Sequence, residues 1–275
     1  MKGAVFQGMK NVFRFEIRLH RFTFLWCGLG VFLFQGVMVG FFAAFRPEEM
    51  LGVLFRKAAF KIFRSLLGGD YIDPMTVSGF LSFAFTHPLN LILLSAPVIA
   101  AASCTAAGGA EEGKTDFLLS QPLSRTALLT SRMAACVCGA VFMTLCMWLG
   151  HIVATTVIPL PELPGRLPFL YAAVNAFFLL LGIQGIAFLT AAGAANRSLA
   201  VGITIAVLAA MLLVQLGTQF WDPCRIVATV AVFTYYIPAK SVRFETLQWG
   251  DLAALSCFFL FLSGLALVVF RKKDI

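Results

Sequence analysis

Long stretches without a charged residue set the pattern of this chain. No Asp, Glu, Lys or Arg lies between Arg21 and Arg46, Asp73 and Glu111, Arg132 and Glu162, Arg166 and Arg197, Arg197 and Asp222, or Asp251 and Arg271. A helix that crosses a bilayer needs about 20 mostly apolar residues, and each stretch holds one such length. The predicted spans are 22–45, 88–107, 133–158, 168–192, 199–221 and 252–270. The stretch after Asp73 is longer than one span needs and is interrupted by Pro88 and Pro97. A short lead-in near 76–85 is therefore expected before the second span. The apolar piece 226–239 is too short to cross and reads as an interfacial or re-entrant segment. The fold class is all-α: a polytopic membrane protein of about six transmembrane helices with an amphipathic N-terminal interfacial helix, forming one transmembrane domain over 1–275.

The segments between spans have their own periodicities. In 1–21, Phe6, Met9, Phe13 and Ile17 recur at helical spacing, and Lys10, Arg14, Arg18 and Arg21 supply basic positions. That combination suits a helix in the headgroup layer, where cations meet anionic lipid. Segments 46–75 and 222–250 are assigned to the outer face. Within the first, Pro47, Glu48 and Glu49 make a helix start and Gly68 with Gly69 a stop, predicting an amphipathic helix on the membrane. Trp221, Tyr235, Tyr236 and Trp249 fit an interfacial aromatic belt.

Composition sharpens this picture. Hydrophobic residues make up 60% of the 275 and charged residues 12%, against roughly 25% charged in soluble domains. The charges cannot coat a water-soluble surface, so lipid is the solvent for most of the chain. Six spans place both termini on one side, and Lys and Arg favour that side by a small margin. The expected orientation has both termini in the cytoplasm of a cell membrane, with a bacterial inner membrane the expected setting. Arg56, Lys57, Lys61 and Arg64 oppose it from the other side. The seven cysteines lie mostly in or beside spans and read as small buried hydrophobes.

One motif points the wrong way. Gly108-Gly109-Ala110-Glu111-Glu112-Gly113-Lys114-Thr115 fits the phosphate-binding pattern G-x-x-x-x-G-K-[ST] letter for letter. That loop works between a strand and a helix of an α/β domain. Here it follows a membrane span, two carboxylates stand where phosphate charge belongs, and no stretch is long enough to build a nucleotide-binding domain.

The same region reads better as a docking element. The cytoplasmic loop 108–132 joins spans two and three. Glu111, Glu112, Gly113 and Asp116 precede the apolar Phe117, Leu118 and Leu119, and the chain then turns at Pro122. Ser124, ahead of Arg125, is placed to cap the next helix. An ordinary solvated turn has no need of an exposed apolar triplet, whereas a helix seated in a partner's groove does. This pattern resembles the permease subunits of ABC-2 type transporters, which often carry an acidic, glycine-containing start, an apolar pair and Pro-x-Ser-Arg between their second and third spans. The six spans, the amphipathic N-terminal helix and the tail Phe270-Arg271-Lys272-Lys273-Asp274-Ile275 also resemble that family, in particular its short copper-enzyme-maturation type. The resemblance implies a non-catalytic subunit that couples ATP hydrolysis by a separate ABC ATPase to substrate movement, in the direction of export. It implies no cofactor on this chain, ATP and Mg being held by the partner. The implied partners are that ATPase, a second permease in a homodimer or heterodimer, and membrane lipid, with no nucleic acid. The ATPase-coupling residues would be Glu111, Glu112, Gly113, Asp116, Phe117, Leu118, Leu119, Pro122, Ser124 and Arg125.

The predicted spans contain no acidic or basic residue. Ion-driven carriers use intramembrane ionisable groups, so an energy source outside the bilayer fits better. Gln35, Asn175, Gln184 and Gln215 are polar positions within spans. They are expected to face other helices and are candidates for a translocation path. His87 and His151 read as packing residues. Gly36 and Gly40 form G-x-x-x-G in span one, which predicts a close helix approach there. A non-transporting assembly or immunity factor could share this fold. A membrane enzyme is less well supported, because no serine–histidine pair or acidic cluster is evident at a membrane face.

Overall fold

The computed structural model describes residues 2–45, 71, 76–104, 124–160, 163, 165–218 and 221–272. All the described elements are helical. They are α1 (Lys2–Phe45), α2 (Val77–Thr86), α3 (Pro88–Ser103), α4 (Arg125–Val157), α5 (Arg166–Gly193), α6 (Arg197–Gly217), α7 (Pro223–Ala228), a 3-10 turn at Val232–Tyr235, α8 (Pro238–Phe244) and α9 (Trp249–Lys272). Among the described residues, six helical stretches are long and apolar enough to cross a membrane, with α2 and α3 counting together as one. The expected outer helix in 46–75, the phosphate-loop look-alike and most of the proposed coupling loop lie outside the described residues.

The bundle is built around α5, whose apolar stretch is more deeply buried than that of any other described span. It packs against α3, α4, α6, α8 and α9. Its buried residues, among them the successive Leu179, Leu180, Leu181, Gly182 and Ile183, come from every side of the helix, as expected of a helix enclosed by others. By contrast, α6 and α9 stand at the edge and expose Leu199, Ile203, Ile205, Leu213, Leu260, Phe261 and Val268.

The most extensive packing joins α1 to α4. Their matching positions advance together: Glu16 with Arg132, Phe24 with Gly139, Gly28 with Phe142, Phe32 with Gly150, and Gly40 with Ile158. The two helices therefore run parallel in a nearly fixed register. Small residues permit this approach, since apolar lipid supplies no hydrophobic drive for helix association. A side chain begun at Gly150 would stand 2.5 Å from the Phe32 carbonyl oxygen, and one begun at Gly139 would overlap the Phe24 ring. The glycines that set the approach are therefore Gly139 and Gly150 on α4 and Gly28 on α1, where an added side chain would stand 2.7 Å from the Phe142 ring. Gly36 has open space around it, and Gly40 meets only the tip of Ile158 at 3.7 Å, so the G-x-x-x-G of span one makes no tight contact.

Helix α1 also revises the reading of the N terminus. The expected interfacial helix and the first span are one continuous helix of 44 residues, about 66 Å long at 1.5 Å per residue. A hydrocarbon core is about 30 Å thick, so roughly half of α1 extends beyond it. The packed face also differs. Val12 and Glu16 are buried while Ile17 is 40% exposed. Glu16 turns toward Arg132 on α4, so the packed face carries Val12 and Glu16 and leaves Ile17 outward.

Residues 222–250 do not form a loose outer loop. Val232 and Tyr236 are buried, and Val232 packs against Gly182 of α5. The α8 helix packs on α2 and α5, and Lys240 ties it to Asp251 of α9 at 2.8 Å. The part 231–242 enters the bundle, while most of 222–230 and 243–250 stays exposed.

Gly150→Ala is expected to destabilise the protein by about 1–3 kcal/mol, the usual cost of overpacking, whereas Gly36→Ala leaves stability unchanged. Thermal unfolding of both variants in the same detergent separates the two sites.

Candidate functional site

The second span is broken, and its break organises a buried polar layer. Thr76 caps α2 by accepting from the Gly79 amide at 3.1 Å. The helix ends at Thr86 because Pro88 cannot donate to it and drives His87 into extended geometry, with ψ at 133°. Pro88 then starts α3 at its first turn, where its missing N–H costs nothing. The Leu89 amide, which an unbroken helix would give to the Phe85 carbonyl, is accepted by His87 Nδ1 at 3.2 Å.

The Phe85 carbonyl is thereby freed in the core. Two side chains replace the lost donor. Asn90 Nδ2 donates to it at 2.9 Å, and the Tyr236 hydroxyl donates at 3.0 Å. Inside a bilayer a lone carbonyl costs several kcal/mol, so these contacts make the break tolerable. Asn90 also points its amide at Met147 Sδ, 3.3 Å away. Alongside, Asn175 donates to the Tyr235 carbonyl at 3.0 Å. The 3-10 turn and the broken span are thus clasped at neighbouring residues.

Aromatic rings close the layer. The His151 ring lies 4.1 Å from Phe169 and 5.5 Å from Phe85, and Phe85 stacks on Phe169 at 6.0 Å. The Phe34 ring meets His87 at 5.1 Å, which brings Gln35 to the same depth. Several buried polar atoms here have no hydrogen-bond partner among the described residues: both amide atoms of Gln35, Asn90 Oδ1, His151 Nδ1 and Asn175 Oδ1. Acceptors and donors of this kind suit water or a polar group passing between the helices.

A second buried polar site stands at the other end of α4. Arg132 Nε donates to Glu16 Oε1 at 3.0 Å, with both side chains only 3% exposed. His20, one turn along α1, places Nε2 3.6 Å from Glu16 Oε2. Arg132 sits two turns into α4, whose start is capped by Ser124 Oγ accepting from the Ala127 amide at 3.2 Å. Arg125 reaches to within 3.5 Å of the Arg271 carbonyl on α9. The start of α4, the end of α9 and the N-terminal half of α1 therefore meet at one end of the bundle.

These positions sort the residues expected from sequence. Gln35 and Asn175 join the layer at the break. Gln184 stands apart, donating to the Met133 carbonyl at 3.0 Å, near the ion-pair end. Gln215 accepts from Thr234 at 2.6 Å and holds the 3-10 turn to α6. Gln219, a further polar position of span five, lies outside the described residues. Of the coupling positions, Ser124 and Arg125 are described, and Ser124 caps as expected. Glu111, Glu112, Gly113, Asp116, Phe117, Leu118, Leu119 and Pro122 lie outside the described residues. Sequence reasoning missed Asn90 and the Glu16–Arg132 pair. A signal for the pair was present, since Glu16 is the one acidic residue before Glu48 and lies one helical turn from His20.

Among the described residues the protein is thus a bundle of six apolar spans, one of them broken beside buried polar groups. Residues 9–271 match the family described as multidrug efflux system permease Rv1217c, C-terminal domain. The chain belongs to that permease family, and the match agrees with the ABC-2 type architecture. It carries the permease class and not the finer placement beside copper-enzyme-maturation permeases. No curated protein matches the chain.

Removing one member of the buried ion pair strands the other. Glu16→Met or Arg132→Met alone is expected to cost about 3–5 kcal/mol, and the double variant to recover most of it; unfolding midpoints of the three proteins test the coupling. At the break, Tyr236→Phe removes one of two donors to Phe85 and is expected to cost about 1 kcal/mol. Asn90→Leu in the same background is expected to cost more than the two single changes summed, because Phe85 is then left bare.

Proposed function

We propose that this chain is the membrane-spanning subunit of an ATP-driven exporter of the ABC-2 type, non-catalytic itself and driven by a separate ABC ATPase. The observation that carries this reading is the convergence at one end of the bundle. Cys104 closes the described part of span two and Ser124 opens α4, so segment 105–123 connects two spans at that end. Arg125 and Arg271 meet there, and Glu16 clamps the first span to the same helix that the segment feeds. A partner pushing on 105–123 acts directly on α4, and through the ion pair and fixed register on α1. Glu111, Glu112, Gly113, Asp116, Phe117, Leu118, Leu119, Pro122, Ser124 and Arg125 form the docking element, with the apolar triplet seated in a groove of the ATPase. This end faces the cytoplasm, where ATP is available, and both termini lie there. ATP and Mg stay with the partner.

The substrate path runs past the helix break. Discontinuous spans place exchangeable backbone groups beside a path, and Gln35, Asn90, His151 and Asn175 supply unpaired polar atoms at that depth. Drug-like compounds leaving the cell are the substrates suggested by the family description, and an aromatic, sparsely polar lining suits them. A second permease covers part of the exposed apolar surface of the outer spans.

Co-purification with a candidate ATPase tests the proposal. Glu112→Ala and Leu118→Ala are expected to abolish coupled ATP hydrolysis or loosen the complex by about tenfold or more, as loss of a buried anchor does. If both variants retain the ATPase and its stimulated turnover, the docking role of this segment is wrong.

A further inference from the structure

A single residue, His87, joins α2 to the rest of the second span. The α2 helix has ten residues, about 15 Å at 1.5 Å per residue, and occupies the half of the span remote from the Glu16–Arg132 end. Its backbone ladder does not continue into α3, because Pro88 has no N–H and His87 is extended. It is therefore a separate short helix, held by side chains. Phe80 meets the rings of Phe41 and Phe42 at 6.1 and 5.1 Å. Leu81, Ala84 and Phe85 are wholly buried, and α8 is the helix that α2 packs on most extensively.

Two effects oppose each other in this packed position. Close packing of Phe80, Leu81, Ala84 and Phe85 favours it. The polar layer beneath works against it. Both amide atoms of Gln35, Asn90 Oδ1, His151 Nδ1 and Asn175 Oδ1 have no hydrogen-bond partner among the described residues. Dry burial of such atoms costs free energy, and water reaching them returns it. Phe85 covers the layer, its ring 5.5 Å from His151 and 6.0 Å from Phe169. The same residue is the point of attachment. Its carbonyl accepts from Asn90 Nδ2 at 2.9 Å and from the Tyr236 hydroxyl at 3.0 Å. Both donors belong to other elements. Asn90 lies on α3, and Tyr236 precedes α8, which Lys240 ties to Asp251 of α9.

We propose that α2 is a hinged gate. It swings about His87–Pro88, is latched at the Phe85 carbonyl by Tyr236 and Asn90, and when released admits water to the polar layer from the end of the bundle opposite the Glu16–Arg132 pair. The closed state is packed and dry, and the open state trades that packing for hydration of the unpaired amide and imidazole atoms. What the gate passes rests on the path proposed past the break. The motion itself needs no substrate and no ATPase. A substrate path found elsewhere therefore leaves the motion intact, and a rigid α2 leaves the permease role intact.

Two measurements on the purified full chain test this. The first is hydrogen exchange of the unaltered protein. The amides of α2 are expected to exchange together, about tenfold faster than those of α3 beyond Asn90, as a unit that opens by itself does. The second is thiol labelling with a water-soluble maleimide, read peptide by peptide by mass spectrometry. Ala84→Cys places a thiol at a position wholly buried in the closed state. The native Cys136, 3% exposed near the ion-pair end, reports general loosening. Adding Tyr236→Phe is expected to speed labelling at position 84 about fivefold, the worth of one hydrogen bond, and to leave Cys136 unchanged. Asn90→Leu on top of it is expected to speed position 84 further. An equal rise at position 84 and at Cys136 makes Tyr236 a purely structural contact and overturns the proposal. Unchanged labelling at position 84 overturns the latch. Equal protection of α2 and α3 overturns the hinge, and that result stands even if a variant does not fold.

Discussion

Hydrocarbon offers no hydrogen-bond partner to a backbone carbonyl, and that constraint shapes this protein from end to end. Five of the six spans meet it with unbroken helices. The second does not, because Pro88 stops the ladder in mid-span. The Phe85 carbonyl is then left to side chains, and Asn90 from the following helix and Tyr236 from a distant segment supply the donors. That one missing backbone bond ties Tyr236 to the second span, within the part of the stretch 226–239 that lies inside the bundle. It also accounts for the polar and aromatic layer of His151, Phe169, Asn175 and Gln35 at the same depth.

The α1–α4 pair answers a different question, namely how two long helices associate where burial from water drives nothing. Glycines at 139 and 150 let the backbones close, so dispersion over the whole length holds the pair. The Glu16–Arg132 pair at one end adds little net stability by itself, since desolvation offsets attraction. Its effect is on register: the alternative registers leave a carboxylate and a guanidinium buried apart. A parallel pair locked at one end and closely packed along its length moves as a unit.

The proposed coupling and path fall at separate depths of one body. The end that gathers the start of α4, the end of α9 and the first half of α1 is where we propose a driving partner acts. The break in the second span is where we propose a polar group passes. Between them runs α5, enclosed on all sides, which touches both through Gln184 at Met133 and Asn175 at Tyr235.

Much of the architecture was legible in the charge pattern alone. Charge-free stretches located all six spans, because the cost of an ion in hydrocarbon acts on each residue separately and needs no knowledge of neighbours. Pro88 announced the break for the same local reason, and Ser124 its cap. What tertiary structure decided were the pairings. Glu16 and Arg132 each look like the solvated flank of a span, and only the parallel register of α1 and α4 turns them into a buried pair. Gly36 and Gly40 match a packing motif, yet the contact falls on Gly28, Gly139 and Gly150, because the face a helix presents is chosen by its partner. Asn90 and Tyr236 are 146 residues apart in sequence and meet at one carbonyl. Local composition states where the chain must lie in the membrane; which polar groups satisfy one another there depends on contacts between segments that no single stretch encodes.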